Sequence, residues 1–466
     1  MTAIWPGGCS LLGDARAARV DGSWRLAGVV TDSPEGPACR SGPIELVVRA
    51  GVVERLRRAD QVAGGRNAPP LPDAPRLVLM PLLVNAHDHG RGRGNVLAGI
   101  RDAPLEPWIA ALRAHSGGSQ ERLVGDAGAA MLAAGVGASV VCVNPQRRDV
   151  DAEVVAAARA ARQLGLRAAI VYPFADAMGS LSGRARTEPG DAPRTTAQRL
   201  DRFERIAAAV EGPDIELQLG PVGPQWVSEA TLAALGAHAR RHGRRVHMHL
   251  LESRAQRTWA DTTYPDGLVP LLERSGLLGP HVCVAHGTQL RAGELAGLAE
   301  SGAVLALNAS SNLRLASGIP PVADALASAV ALGAGLDGLA LGDDADYWNE
   351  LRLLRGIAQA QAGAVLDAGA LLGRVLRGGR RALGRCAPRD PAEGGLADFV
   401  LVDLGEHAGL FERGWMPAEV ALAVASPGKV SEVWVAGRAV YRRRASEPPA
   451  PAAKRSWKTA GATGGR

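Results

Sequence analysis

Four short segments of the chain carry side chains that could bind a metal ion and move protons. Residues 85–89 read NAHDH, and because its two histidines are two positions apart, a strand would point both imidazoles the same way. Residues 246–252 read VHMHLLE, with a carboxylate three positions after the second histidine, and His286 and Asp337 follow further on. Neutral imidazoles suit a borderline divalent cation such as zinc. Taken singly, each segment also fits a buried structural histidine or a helix-capping aspartate.

The elements predicted around these segments bring all four to one end of the fold. From residue 76 onwards, alanine-rich helical stretches alternate with eight apolar runs, at 76–87, 138–143, 167–172, 215–219, 245–250, 282–286, 304–308 and 330–336. Eight such units favour an α/β fold, a (β/α)8 barrel of the TIM type, over an open doubly wound sheet. The four segments end the first, fifth, sixth and eighth runs, where such a barrel builds its active site. Their coincidence predicts a metal site.

Both chain ends are predicted to form a small β-sandwich domain beside this barrel. Residues 1–75 and 396–441 contain short strand patterns interrupted by glycine and proline, and the second includes a hairpin that turns at Ala436-Gly437-Arg438. The barrel would then occupy residues 76–385. The tail at 442–466, rich in Pro, Ala, Ser and Gly, is expected to be disordered.

The composition excludes several classes of protein. With 466 residues, 47% hydrophobic and 21% charged, the chain resembles an ordinary globular protein. Its net charge of +6 comes from scattered arginines without interleaved aromatics, so no nucleic-acid partner is expected. Neither an apolar stretch of about twenty residues nor a basic leader occurs, so no membrane partner is expected. Five scattered cysteines fit a reducing compartment, which predicts a cytoplasmic protein.

Together the motifs resemble the amidohydrolase superfamily, in the branch of the triazine, adenosine-derivative, guanine and cytosine aminohydrolases. The resemblance runs from about residue 78 to 352, through NAHxH at 85–89, HxHxxE at 247–252, AHG at 285–287 and NASSNLRLASGIPPV at 308–322. ADFVLVD at 397–403 matches the flanking domain. The chain departs from the family pattern at Leu82 (a glycine), Ala309 (a proline) and Leu336 (a threonine).

The resemblance implies a site for one divalent metal ion, with zinc as the first choice and iron or manganese as alternatives. The last ligand has more than one candidate, and the spacing to the family motifs favours Asp337 over Asp343 or Asp344. No lysine precedes Lys429, so the barrel cannot supply the carboxylated lysine that bridges two metals in other branches. The implied ligands are His87, His89, His249 and Asp337.

The resemblance also implies how the site would work. Glu252 would shuttle protons and His286 would polarise the attacked group. Asp337, besides binding the metal, would hold the attacking water in line. His247 is expected to support the ligands or the barrel core rather than to bind the metal.

Several further residues are candidates for contacting the substrate. Trp226 offers a stacking face and Gln225 an amide for a planar heterocycle, although core packing explains Trp226 as well. Trp108, in LEPW at 105–108, is expected to cap the pocket. Arg91, with Arg93, could meet a carboxylate or carbonyl, although a surface role suits them too. The acidic residues after the eighth run, Asp343 and Asp344, could line the pocket or form a solvated turn.

These residues predict a metal-dependent hydrolytic deaminase of an amino-substituted nitrogen heterocycle (purine, pyrimidine, pterin or triazine) that releases ammonia. Hydrolysis of another C–N bond or of a C–halogen bond, in a cyclic amide or a chlorotriazine, would use the same attack by water. A non-catalytic metal-binding scaffold is a third possibility, against which the proton carrier Glu252 counts. The expected partner is a small-molecule substrate, and a homodimer is an expectation from the resemblance.

Overall fold

The structure is a computed structural model that describes residues 10–11, 20–33, 36–59, 76–92, 94–113, 118–145, 149–177, 195–339 and 344–443. Its strands form two sheets of eight strands each. In chain order the strands are β1 (Ser10–Leu11), β2 (Gly22–Ser33), β3 (Gly36–Arg49), β4 (Val52–Arg58), β5 (Leu77–Pro81), β6 (Leu83–Asp88), β7 (Val136–Cys142), β8 (Arg167–Phe174), β9 (Ile215–Pro221), β10 (Val246–Leu250), β11 (Val282–His286), β12 (Val304–Leu307), β13 (Ala331–Ala334), β14 (Phe399–Asp403), β15 (Val430–Val435) and β16 (Arg438–Arg442).

Most of the α-helices alternate with the strands of the barrel along the chain. The α-helices are α1 (Leu105–Arg113), α2 (Gln120–Ala133), α3 (Val150–Leu164), α4 (Thr196–Val210), α5 (Glu229–His242), α6 (Arg254–Thr263), α7 (Leu268–Arg274), α8 (Ala292–Ser301), α9 (Ala309–Arg314), α10 (Val322–Ala327), α11 (Tyr347–Ala362), α12 (Ala368–Leu383) and α13 (Pro417–Val424). Short 3-10 helices lie at Val96–Ala98, Pro224–Trp226, Gly384–Cys386, Gly405–Arg413 and Pro427–Lys429. Within the described ranges, every helix is too short or too polar to cross a bilayer.

Strands β6 to β13 form the barrel, in chain order and all parallel, as the eight apolar runs predict. The barrel closes between β13 and β6 through hydrogen bonds from the loop that follows β13. The amide of Asp337 donates to the carbonyl of His87 at 3.1 Å, and the amide of Leu336 donates to Oδ1 of Asn85 at 3.0 Å. Asn85 of the NAHDH segment therefore helps to close the barrel beside its two histidines.

The second sheet combines both chain ends, in the order β1-β16-β15-β14-β5-β2-β3-β4. The predicted hairpin is present as β15 and β16, and β16 reaches Arg442. The run at 76–87, predicted as a single barrel strand, is two strands in different sheets: β5 pairs with β2 and β14, and the barrel begins at Leu83. Because the buried Leu82 continues the apolar run between them, hydrophobicity does not mark this change of sheet. The predicted disordered tail, beyond Arg443, lies outside the described residues.

A buried ion pair joins the two sheets. The guanidinium of Arg167, at the start of β8, lies 2.9 Å from the carboxylate of Asp398, immediately before β14. Asp398 also accepts a hydrogen bond from the amide of Ala436 at 2.7 Å, in the turn between β15 and β16. Both charged side chains are buried, with 9% and 2% exposure. The barrel and the terminal sheet are therefore held together by a charge pair as well as by a shared apolar core.

Candidate metal and catalytic site

Three histidines and an aspartate bring their ligand atoms together at the C-terminal end of the barrel strands. Oδ1 of Asp337 lies 3.3 Å from Nε2 of His87 and 3.4 Å from Nε2 of His89. The Nε2 atoms of His89 and His249 are 3.1 Å apart. His87 is the second-last residue of β6, His89 follows that strand directly, and His249 lies in β10. Asp337 reaches the group from a left-handed backbone conformation (φ 63°), which aspartate adopts more readily than most residues.

This group fits a divalent metal ion. The Nδ1 atom of His249 donates to the carbonyl of Val222 at 2.6 Å, so its Nε2 atom carries a free lone pair. Burial lowers the pKa of His89 to about 4 and moves the pKa values of His87 and His249 below their usual value, so all three rings are neutral at pH 7. Buried Nε2 of His87 makes no hydrogen bond among the described residues. Neutral imidazoles with a carboxylate are the donor set that zinc takes in catalytic sites.

His247 lies behind the group rather than in it. Its Nε2 atom is 2.8 Å from Nδ1 of His87, on the side of that ring opposite the nitrogen that approaches Asp337. The two rings stack with a centroid distance of 5.1 Å. Such a hydrogen bond fixes the orientation and the tautomer of a ligand histidine. This position fits the supporting role expected for His247.

Glu252 and His286 form a second pair in the same site. Oε2 of Glu252 lies 3.5 Å from Nε2 of His286, and both side chains are buried. The amide groups of Asn308 and Asn312 donate to Nδ1 of His286 at 3.2 and 3.0 Å. Since Nδ1 accepts, the proton of the neutral ring is on Nε2 and faces the site. Burial, followed by the negative charges of Asp337 and Glu106, raises the pKa of Glu252 well above its usual value.

Helix α9 carries the groups that orient Asp337 and His286. Ser311 donates its hydroxyl to Oδ2 of Asp337 at 2.5 Å, and Asn312 is the next residue along. The helix start is held by Glu350 of α11, whose Oε1 accepts the amide of Ala309 at 2.5 Å. The family proline at this position has no N–H to donate, so Ala309 gives this chain a hydrogen bond that proline could not form. Burial raises the pKa of Glu350 to about 7, against the opposing effect of these hydrogen bonds.

Sequence reasoning assigned no role to Asp88, which lies between the two histidines of NAHDH. Successive strand residues point to opposite faces, so its side chain points away from the metal group. It is buried, and it accepts hydrogen bonds from the side-chain amide of Asn85 at 2.9 Å and from the amide of Gly90 at 2.6 Å. Burial raises the pKa of Asp88 to about 7. A carboxyl group at the end of a buried strand was the available sign that Asp88 stabilises the turn.

A cavity of about 300 Å³ opens over the metal group. Its floor contains the polar site residues, and its walls are mostly apolar side chains from α1 and from the ends of β7, β8 and β9. The lining includes Leu105, Trp108, Ile109, Leu112, Val143, Pro145, Val171, Pro173, Val222 and Trp226. The indole Nε1 atoms of both tryptophans are buried without a hydrogen-bond partner among the described residues. The cavity therefore offers a flat, apolar space with polar groups at one end, which is typical of a small-molecule site.

Some of the predicted substrate contacts lie in this cavity and others do not. Trp108, Trp226 and Arg91 line it. Gln225 is buried next to the cavity but does not line it, and Asp344 is exposed and accepts the amide of a neighbouring residue at 3.2 Å. Two further candidates, Asp343 and Arg93, lie outside the described residues.

Comparison with known proteins places this site in context. Residues 78–440 match the model of the amidohydrolase family. The chain is 30% identical to the 8-oxoguanine deaminase of Pseudomonas aeruginosa over 381 residues, 76% of this chain and 82% of that protein. It is 29% identical to the 5-methylthioadenosine/S-adenosylhomocysteine deaminase of Thermococcus onnurineus over 372 residues, 77% of this chain and 82% of that protein. The crystal structure of a zinc-bound adenosine deaminase from Xanthomonas campestris matches with a TM-score of 0.74 and 25% identity, covering 90% of this chain and 93% of that one.

Proposed function

Since the chain belongs to the amidohydrolase family and is 30% identical to an 8-oxoguanine deaminase, we propose that it deaminates an amino-substituted nitrogen heterocycle and releases ammonia. The substrate ring is of the purine, pyrimidine, pterin or triazine type. The observation that carries this proposal is the pairing of Glu252 with His286, 3.5 Å apart, beside the histidine group at the closed end of the cavity. A proton carrier at that point is what replacement of an amino group by water requires.

A single divalent ion, zinc by preference, would be held by His87, His89, His249 and Asp337. When bound, such an ion makes water acidic enough to supply a nucleophile near neutral pH. Zinc is supported by the donor set and by the zinc in the related adenosine deaminase structure. The hydrogen bond from Nδ1 of His249 to the carbonyl of Val222 sets the tautomer of this ring and leaves Nε2 free to bind the ion.

The remaining chemistry belongs to the residues of the chain. Glu252 takes a proton from the attacking water and delivers it to the departing amino nitrogen, so that water and the amine become a ring carbonyl and ammonia. His286 donates its Nε2 proton as a hydrogen bond to the negative charge that develops on the attacked group. Asp337 accepts a hydrogen bond from the attacking water and keeps it in line with the ring carbon. The raised pKa of Glu252 makes it a stronger proton acceptor than an exposed carboxylate.

The cavity walls support the same reaction. Apolar side chains above the floor exclude bulk water, which strengthens the hydrogen bonds made inside. Trp108 and Trp226 line the cavity and provide aromatic faces on which a heterocycle can stack. A planar, polar ring therefore suits this space better than a flexible aliphatic chain.

Ammonia release by the purified, metal-analysed enzyme from a panel of purines, pyrimidines, pterins and triazines tests the proposal. We expect one class of heterocycle to release ammonia at about one metal ion per chain, with turnover lost in Glu252→Gln. Glu300→Gln is the matched control, because Glu300 is an exposed glutamate on α8 far from the cavity lining. It should retain full activity.

The other outcomes are equally informative. If the metal-loaded enzyme produces no ammonia but releases chloride from a chlorotriazine or opens a cyclic amide, its reaction is the hydrolysis of those bonds instead. A folded protein that binds no divalent metal would show that the mechanism is wrong.

A further inference from the structure

Arg91 is a positively charged residue on the cavity wall, and Asp337 is the negative charge that acts on it most strongly. It follows His89 by two residues, is half-buried, and lines the cavity. Its Cβ atom lies beside the Asp337 loop, within 3.8 Å of where a side chain on Gly338 would begin. No described residue forms a hydrogen bond or an ion pair with its guanidinium. Burial lowers the pKa of Arg91 to about 10, so it remains charged at neutral pH.

Other poorly exposed arginines in this structure are paired. Arg244 lies 2.5 Å from Glu204 and 2.8 Å from Glu211, and Arg167 lies 2.9 Å from Asp398. A partly buried guanidinium without a direct ion-pair partner is unfavourable, because it gives up part of its hydration and gains no close counter-charge. Because Arg91 has no such pairing, we expect a group of the bound ligand to supply its counter-charge.

Neither acidic residue of the cavity forms an ion pair with Arg91. The charge of Asp337 raises the pKa of Arg91, but its carboxylate contacts His87, His89 and Ser311, and Glu252 is paired with His286. The positive charges, in contrast, accumulate along the cavity wall, where the lining also includes Arg113 and Arg199.

Arg199 serves as an internal comparison for Arg91. Its guanidinium donates to the carbonyls of Pro173 at 2.9 Å and Ala175 at 3.3 Å, and it lies over the ring of Phe174. Its hydrogen-bonding groups are thus used within the protein. Arg91 has the same chemistry and the same cavity, but its donors are available to a substrate.

We propose that Arg91 binds a carboxylate on the substrate, so that the enzyme acts on amino-heterocycles that carry this anionic group. A guanidinium presents two parallel N–H donors that match the two oxygens of a carboxylate. Binding would supply the close counter-charge that the guanidinium of Arg91 lacks among the described residues. The proposal rests on the proposed function for the identity of the ring, whereas the anion site can be measured by binding alone.

Calorimetry on metal-loaded, full-length Glu252→Gln enzyme, which holds ligand without turnover, tests this site. The probes are two matched pairs, pterin with pterin-6-carboxylate and cytosine with cytosine-5-carboxylate. We expect one of the acids to bind about 10- to 100-fold more tightly than its neutral partner, the range for one charge-assisted contact. Adding Arg91→Gln should remove that preference and leave the neutral member unchanged, and Arg91→Lys should restore part of it.

Arg101→Gln is the matched control, because it removes the same charge from an exposed position outside the cavity lining. It should leave the preference intact. Metal content of Arg91→Gln should equal that of the parent, and its melting temperature should be equal or higher, since no hydrogen bond within the described structure is lost and a partly buried charge is removed.

Three outcomes would overturn the proposal: equal binding of both members of each pair, no binding of either acid, or an acid preference that survives Arg91→Gln, as direct binding of the carboxylate to the metal would give. Failure of the proposed function is a separate result. In that case the acid preference and its loss in Arg91→Gln persist, while the enzyme with Glu252 intact releases no ammonia from the preferred acid.

Discussion

Asp337 and His286 show how single residues at this site depend on their neighbours. The carboxylate of Asp337 approaches two histidines through one oxygen and accepts the hydroxyl of Ser311 through the other. His286 receives two amide donors at Nδ1, from Asn308 and Asn312, and this arrangement alone sets which nitrogen carries the proton. At this scale, hydrogen bonds decide the role that each titratable group can have.

The replacement Asn312→Asp should reverse the tautomer of His286. A carboxylate beside Nδ1 favours a proton there, which leaves Nε2 without the hydrogen that it would donate to the substrate. We expect kcat to fall about 10²- to 10³-fold, the usual loss for one such donor, with KM and metal content little changed. Nitrogen-15 NMR of the histidine ring reports the tautomer directly.

The control for this variant is Asn349→Asp, an exposed asparagine on α11, which should keep full activity. An unchanged kcat together with a ring still protonated at Nε2 would contradict the role given to Asn312.

At the scale of elements, the site depends on the short helix α9 being fixed to α11. Glu350 accepts the amides of Ala309 at 2.5 Å and Ser310 at 3.3 Å, at the end of α9 from which Ser311 and Asn312 reach the site. A second close fit lies at the start of the barrel. Leu82 occupies the space that a side chain on Gly137 would need, since a Cβ atom there would lie 2.4 Å from it. Where the family pattern has a glycine, this chain has Leu82, and the absence of a side chain at Gly137 leaves the space that Leu82 occupies.

Removing the carboxylate with Glu350→Ala should loosen α9. The amides of Ala309 and Ser310 lose their acceptor in a buried place, which costs about 1–3 kcal/mol for an unsatisfied buried group. We expect the free energy of unfolding to fall by that amount in denaturant titrations, with a further loss of kcat as Ser311 and Asn312 move. Glu350→Gln keeps an oxygen acceptor and should lose less; equal losses in the two variants would show that the hydrogen bonds are not the cause.

At the scale of the whole molecule, the barrel and the terminal sheet form a joint structure. β5 and β6 are nearly consecutive yet belong to different sheets, and apolar residues of both sheets pack in one core. The buried pair of Arg167 and Asp398 crosses the same boundary.

Breaking this pair with Asp398→Ala should destabilise the protein strongly. The variant leaves the buried guanidinium of Arg167 with Asp214, 3.1 Å away, as its remaining ion-pair partner, so we expect a loss at the lower end of the about 3–5 kcal/mol that breaking a buried pair costs. Glu54→Ala is the control, because Glu54 pairs with Arg49 at 3.6 Å on the surface and should cost less than about 1 kcal/mol. Thermal and denaturant unfolding measure both, and similar values for the two variants would mean that the buried pair does not join the sheets.

Removal of the metal by a chelator should abolish turnover and also lower the melting temperature. A metal that binds only the folded state adds about 1.4 kcal/mol of stability for each tenfold excess over its Kd. Activity and melting temperature should both return on titration with zinc. A lower melting temperature with unchanged turnover would instead favour a structural metal and a scaffold role.

The sequence by itself determined the barrel and the end of the barrel at which the candidate metal ligands meet. Eight apolar runs with helices between them indicate the fold, because strand periodicity and strand burial are local properties. The segments that contain His87, His89, His249 and Asp337 follow the ends of apolar runs, and parallel strands in a barrel end at one mouth. The choice of these four as metal ligands comes from the family resemblance and stays a prediction. The hairpin at residues 430–442 was likewise visible from its turn and its alternating residues.

The tertiary structure alone decided which residues share a cavity and which hydrogen bonds set their chemistry. The change of sheet at Leu82 was hidden, because buried residues of two sheets have the same composition. Gln225, a predicted substrate contact beside Trp226, lies outside the cavity lining. The two residues are adjacent in a 3-10 helix, where successive side chains point in different directions. The free charge of Arg91 and the tautomer of His286 depend on contacts between residues far apart in the chain. Local sequence patterns do not contain such contacts, because they arise only when the elements pack.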